Sequence, residues 1–397
     1  MPPHPVDSSR GSSTLFDKVR NYYHTKQDEP APPPITSQTA LLCAALYTLI
    51  YIAPFYLSPT LRSTPLQSRD APAVIRARVR AVALSCLFST VITVYILAIP
   101  GQATPPEIAR LLGLWPLDPR DIARTLALVA TLFAGPLYET LIIDSAWRQL
   151  APATLTSGLF SNNNKNHNWI AYRNLLVAPA SEELVFRSLT ISLHLLARAS
   201  PPRIIFTTPL IFGLAHVHHL AEFLQSRTPA GHRSPPLQIW INGLVRTLFQ
   251  FTYTSLFGLF AAFVYLRTGN LWAVMLAHGF CNGMGVPRVW GRVGQFAASY
   301  EDITPDVAQG KKKKRDEDAD ADAVKVKVGD GLMMQGAGGD QEDSKAAAAH
   351  VREAVGPRNL GVGWTVGYYV LMFMGSFGFY RMLWPLTESA NALASFS

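Results

Sequence analysis

The 397-residue sequence is short of charge: 16% of its residues are Asp, Glu, Lys or Arg, against 49% hydrophobic. Soluble globular chains carry about 25% charged residues, so a chain wetted over its whole surface is excluded, and length no longer counts domains. Cysteine is scarce too. Cys43, Cys86 and Cys281 all lie in apolar segments, and no Cys-x-x-Cys occurs. An odd number without that spacing indicates neither a disulfide framework nor a zinc knuckle. There is no His-Glu-x-x-His, the helical signature of many zinc proteases. The first 35 residues are polar and Pro-rich without an apolar core, so no cleavable signal peptide is expected and the first span serves as targeting signal. The chain ends Ser-Phe-Ser, so prenylation of the chain itself is not expected. The net charge of +8 comes without the aromatic-basic motif of an RNA module, and nucleic-acid binding is not expected.

What the sequence has in quantity is apolar runs. A bilayer core takes about 20 mostly apolar residues in a helix. Ala40–Leu57, Ala81–Ile99 and Trp364–Trp384 qualify cleanly, as does Thr125–Ile143, which Gly135-Pro136 interrupts. Leu175–Ala197, Ile204–Leu224, Ile239–Leu266 and Leu271–Val286 qualify but contain ionisable or strongly polar residues. Ile239–Leu266 is long enough to hold an interfacial helix before its span. The expected fold is therefore all-α: a polytopic transmembrane bundle of about eight spans around a polar cavity, since irregular backbone at membrane depth is tolerated only around such a cavity. The domain reading is a polar tail at 1–39, a membrane-embedded catalytic domain at 40–298, a disordered Lys-rich and acidic loop at 299–358, and a last span with a short tail at 359–397. That loop holds Lys311-Lys312-Lys313-Lys314-Arg315; a solvated charge run is the plainer reading, a tether to lipid headgroups the other. Arg62, Arg69, Arg76, Arg78 and Arg80 crowd the first loop and assign it to the cytosol, which with eight spans puts both termini in the lumen.

Ionisable residues inside membrane segments cost at least ~2.5 kcal/mol at the centre, and they usually face the bundle interior and serve function. Here they form three short motifs. In Ser181-Glu182-Glu183-Leu184-Val185-Phe186-Arg187, Glu183 and Arg187 are four apart, share a helix face and stand in the favourable order. Glu182 is rotated about 100° away without a partner on its own helix, which suits it to general-base chemistry. The plainer reading makes both glutamates bundle glue. In Phe212-Gly213-Leu214-Ala215-His216-Val217-His218-His219, His216 and His219 share a face and His218 points elsewhere. One or two of the three are expected to do chemistry, with His218 and His219 near the headgroups. In His278-Gly279-Phe280-Cys281-Asn282, His278 and Asn282 are four apart and can offer two donors to one oxygen; Asn282 as an interhelical hydrogen-bonding residue is the alternative. A water between Glu182 and His216 would be the nucleophile, and His278 with Asn282 would hold the oxyanion.

These three motifs, in this order and spacing, resemble the type II CAAX prenyl endopeptidases. These are the Ras-converting proteases, the eukaryotic branch of the CPBP (ABI) membrane family. Tyr253–Gly258 with Arg267-Thr268-Gly269, and Phe280–Gly285, resemble that branch too. The likeness covers about Pro179–Pro287, a quarter of the chain. It implies a multi-pass protease of the endoplasmic reticulum membrane that removes the last three residues of farnesylated or geranylgeranylated CAAX proteins such as small GTPases. It implies Glu182 and His216 as the water-activating pair, His278 and Asn282 as oxyanion donors, and Glu183, Phe186 and Arg187 in support. Neither cofactor nor metal is expected. The rivals are a zinc form of the same protease, with His216, His219 and His278 as ligands and Glu182 as base, a non-enzymatic membrane scaffold or chaperone, and a transporter. Cys281 invites a Cys–His reading, but an apolar helix offers nothing to activate its thiol.

Overall fold

The protein is described here from a computed structural model, which covers residues 32–61, 69–143, 165–228, 232, 234–294 and 360–396. Most of the expected tail at 1–39 and the whole loop at 299–358, with its lysine run, lie outside the described residues. Within them the regular structure is entirely helical. In chain order the helices are α1 (Ser37–Ile52), α2 (Pro72–Ala98), α3 (Pro105–Leu111), α4 (Pro119–Leu132) and α5 (Ala134–Ile143). A composite rod, α6, then runs through Lys165–Tyr172, Arg173–Val177, Ala178–Glu183, Leu184–Leu189 and Thr190–Leu196. It is followed by α7 (Pro201–Ala215), α8 (His218–Arg227), α9 (Leu237–Thr268), α10 (Leu271–Met284) and α11 (Val362–Leu386).

Local chemistry sets the boundaries. The Thr36 hydroxyl accepts from the Thr39 amide and starts α1. Prolines at the first positions open α2, α4 and α7, where a missing N–H leaves nothing unpaired. Helix α9 stops at Gly269, whose φ of 57° is left-handed, and Asn270 at once caps α10 by accepting from the Ala273 amide.

Five helices among the described residues are long and apolar enough to cross a membrane, or six if α4 and α5, bent by 82°, count as one span. The bend falls where Gly135-Pro136 interrupts the apolar run. The sequence led to about eight spans, and the two that fail the length test are informative. Helix α10 has 14 residues, about 21 Å of rise against a core of about 30 Å. Rod α6 is broken into short pieces by two π-helical turns, Arg173–Val177 and Leu184–Leu189. Pro179 follows the first of these, where an uninterrupted helix would meet a steric clash and lack a donor. The interfacial helix expected before the Ile239–Leu266 span is not separate, because α9 is one continuous helix of 32 residues.

Both short elements pack into the bundle, with Leu176, Trp272 and Leu276 left exposed on their outer sides. Leu189, Ile191, Leu193 and Leu195 of α6 are fully buried, together with Tyr265 and Leu266 of α9 and Leu271 of α10. The polar residues threaded through α6 have partners. Ser188 and Ser192 donate to the carbonyls of Leu112 (2.7 Å) and Leu111 (2.6 Å), and Tyr265 also donates to Leu111 (2.9 Å), so the C-terminal end of α3 is satisfied without water. Outside, Leu84, Phe88 and Val91 on α2 and Phe373, Phe377 and Tyr380 on α11 stand exposed. Bands of this size on a soluble protein would be docking faces; on helices of this length they face lipid. The molecule is a polytopic helical membrane protein.

Candidate active site

Helices α6, α7 and α10 bring parts of the three motifs to one place, and α9 adds Phe257. On α6, Glu183 is fully buried and its Oε1 accepts from Arg187 Nη1 at 3.0 Å, the pair expected from their spacing. The same oxygen lies 2.6 Å from Nδ1 of His278 on α10. A carboxylate accepts, so the His278 proton sits on Nδ1 and the other nitrogen, Nε2, faces Glu182, 3.9 Å from its Oε2. Among the described residues Glu182 makes no hydrogen bond, and its side chain keeps 17% of its surface open. Helix α10 reaches this close because residue 279 is glycine: a Cβ there would stand 2.6 Å from the Leu175 carbonyl oxygen of α6. Asn282, one turn after His278, donates from Nδ2 to the Asn174 carbonyl at 3.0 Å, which fixes the amide orientation and leaves its second Nδ2 hydrogen available.

His216 arrives from the end of α7. There the His216 amide turns back to Gly213 (3.1 Å), so the Phe212 carbonyl loses its helical donor. The His216 ring replaces it, with Nδ1 donating to Phe212 at 2.8 Å, so a neutral ring has its lone pair on Nε2, as a base requires. Phe212 is the shared wall. Its ring centroid lies 4.7 Å from His216, 6.4 Å from His278 and 5.1 Å from Phe186, and the Arg187 guanidinium stacks over it at 4.2 Å. Phe257 closes the other side of His278 at 4.5 Å. No hydrogen bond or ion pair joins Glu182 to His216 directly.

His218 and His219 do not sit at this centre. His218 stacks on Phe55 and donates from Nδ1 to Ala215 at 2.6 Å. His219 Nδ1 is 3.1 Å from Glu222 Oε2. Sequence reasoning passed over Glu222, although a glutamate three residues after a histidine in an apolar run was the available signal. Glu222 also binds Arg69 (3.3 Å) and Arg78 (3.0 Å), so two of the arginines counted toward a cytosolic loop are buried in ion pairs. The donor atoms of His218, His219 and Glu222 lie within 4.8 Å of one another. The two guanidiniums on the Glu222 oxygens oppose a cation there. The trio His216, His219 and His278 does not converge in this way among the described residues.

Two further residues escaped the sequence reading. Tyr51 of α1 bonds Ser181 through its hydroxyl at 2.8 Å, and Asn174 receives Asn282. Cys281 packs with Val129 of α4 and with Phe133 just after it.

Comparison with known proteins points to one family. Residues 164–284 match the family described as Type II CAAX prenyl endopeptidase Rce1-like. The chain is 33% identical over 255 residues to the probable CAAX prenyl protease 2 of Schizosaccharomyces pombe, covering 64% of this chain and 83% of that protein. It is 33% identical over 231 residues to CAAX prenyl protease 2 of Homo sapiens (56% and 64%). The Saccharomyces cerevisiae protein of that name is 27% identical over 263 residues (60% and 79%). No solved structure matches.

Proposed function

The chain belongs to the type II CAAX prenyl endopeptidases, and from that premise we propose that it hydrolyses the bond after the prenylated cysteine of CAAX proteins with Glu182 as general base. The observation that carries the assignment is Glu182 itself: a carboxylate at the buried centre, facing His278 at 3.9 Å, with no hydrogen bond of its own. A water between Glu182 and His216 Nε2 gives up a proton to this pair as its oxygen attacks the cysteine carbonyl carbon. The carbonyl oxygen becomes an oxyanion, which Asn282 meets with its second Nδ2 hydrogen. His278 joins only when Nε2 is also protonated, because Nδ1 is committed to Glu183; such an imidazolium lies against both Glu183 and Glu182. The intermediate collapses, the C–N bond breaks, and the stored proton passes to the departing amine. The products are a prenyl-cysteine carboxylate and a free tripeptide. Donors aimed at developing charge in a site free of bulk water are commonly the largest part of such catalysis.

The substrates in this reading are farnesylated or geranylgeranylated proteins, small GTPases among them. The prenyl chain enters sideways from lipid and the peptide from the cytosol, with the arginine-rich loop on the cytosolic side of the endoplasmic reticulum membrane. Catalysis belongs to the membrane domain at 40–298; deleting 310–349, outside all three motifs, leaves it intact. The test is tripeptide release from a farnesylated CAAX peptide by the purified protein, with and without a zinc chelator. Release in both cases is expected. Release lost with the chelator and restored by zinc returns the zinc form, and no release under any condition contradicts the reading.

A further inference from the structure

A protease that removes the final three residues of a protein must recognise where the chain ends. The end is marked by a carboxylate, and a carboxylate drawn toward a membrane interior needs a paired cation. In an extended peptide the terminal carboxylate lies about 10 Å beyond the scissile carbonyl, three residues at roughly 3.3 Å each. Resting on the reading that Glu182, His278 and Asn282 surround that carbonyl, the terminal carboxylate falls about two helical turns away.

Arg173 stands nine residues before Glu182 on α6, roughly 13 Å along a helix, and a basic cluster gathers around it, on two routes leading out of the site. On the first, the Asn282 amide is tied to the Asn174 carbonyl at 3.0 Å, and the residue before Asn174 is Arg173. On the second, Ser181, next to Glu182, bonds Tyr51 at 2.8 Å; Tyr51 meets Phe55, just past the end of α1, at 6.4 Å, and the Arg78 guanidinium lies over Phe55 at 5.1 Å. The routes end in one group. Arg173 Nη1 binds Asp70 Oδ1 at 2.7 Å and the Arg69 carbonyl at 3.5 Å, while Arg69 and Arg78 share Glu222. Among the described residues the group sets three guanidiniums against two carboxylates.

Arg173 is the member built to accept a further anion. Its Nε is engaged with Asn174 Oδ1 at 2.9 Å and its Nη1 with Asp70, which fixes the plane of the guanidinium, and its Nη2 makes no hydrogen bond among the described residues. It sits in the first π-helical turn of α6, a geometry that re-aims side chains and is frequent at functional sites. Glu222 and Asp70 hold the neighbouring arginines in place, which explains why two arginines next to a protease centre are buried rather than spread over the surface.

We infer that Arg173 binds the C-terminal carboxylate of the substrate peptide and so sets the length of the fragment removed. Arg173 is a specificity residue and takes no part in the bond-breaking step.

The test uses the full-length purified protein and two farnesylated CAAX peptides of one sequence, one ending in a free carboxylate and one in a carboxamide. Charge-assisted hydrogen bonds of this kind correspond to about 10- to 100-fold, so kcat/KM of the wild type is expected to favour the acid by that factor. In Arg173→Gln the acid-to-amide preference collapses toward unity. Arg173→Lys retains part of it. The acid-to-amide ratio is independent of how much protein is folded. Should Arg173→Gln not accumulate, inhibition of the wild type by the free tripeptide and by its amide, compared with the same pair on Arg173→Lys, gives the decision. A wild-type ratio near one, or an undiminished ratio in Arg173→Gln, overturns the inference. Failure of the wild type to cleave the acid peptide at all is a different result: it removes the proposed function, and this inference with it.

Discussion

Glu183 and Glu222 are two buried glutamates dressed in the same residue types, and they serve different ends. Each accepts from a histidine Nδ1, His278 at 2.6 Å and His219 at 3.1 Å, and each is paired with arginine, Arg187 in one case and Arg69 with Arg78 in the other. At Glu222 both oxygens are taken, and their partners come from the chain before α2, from α2 and from α8. This is a clamp, fixing α8 against α2 just past the turn that carries His216. At Glu183 a second carboxylate stands beside the first: Glu182 shares His278 with it but has no hydrogen bond among the described residues. One cluster is saturated, and the other keeps an open base. Chemistry needs the unsatisfied group; the saturated cluster holds the frame around it.

If that contrast is right, the largest loss follows removal of the open base or its partner. Glu182→Ala and His216→Ala each abolish tripeptide release, a loss of at least about 100-fold, while the protein still inserts and accumulates; substantial turnover at equal protein level would break the assignment. Next comes Asn282→Ala. An oxyanion donor acts in the transition state, so kcat falls by about 100-fold or more with KM little changed. Weakened binding at normal turnover would leave Asn282 only its bond to Asn174. Glu222→Ala acts elsewhere. It removes the carboxylate that two buried guanidiniums share and lowers stability by about 3–5 kcal/mol, read as a lower unfolding temperature, while turnover per folded molecule stays close to wild type. The smallest effect is expected from Cys281→Ala, which keeps most of the activity because that side chain packs toward Val129 and Phe133; complete loss in a well-expressed variant would revive a cysteine mechanism.

The part of this legible in the sequence was the part that is local. The Glu183–Arg187 pair follows from a four-residue spacing, and the common side of His278 and Asn282 follows from another. The membrane class follows from apolar runs, and each of the eight runs is helical. Hydropathy alone could not separate spans from inner elements, because α10 and the buried half of α6 are as apolar as helices that face lipid. The Glu222 clamp was invisible for a related reason. Its arginines come from 153 and 144 residues away, so the loop charges that seemed to mark a cytosolic surface are partly ion pairs inside the bundle. The His216 tautomer was equally out of reach, since it depends on α7 ending where the Phe212 carbonyl loses its amide.

The most direct test sets the two clusters side by side in one purified preparation, with Glu182→Gln and Glu222→Gln each assayed for tripeptide release from a farnesylated CAAX peptide and normalised to folded protein. The account predicts that Glu182→Gln is inactive at wild-type stability, and that Glu222→Gln is less stable yet turns over at nearly the wild-type rate per folded molecule. Active Glu182→Gln, or equal loss of turnover in both, would contradict it.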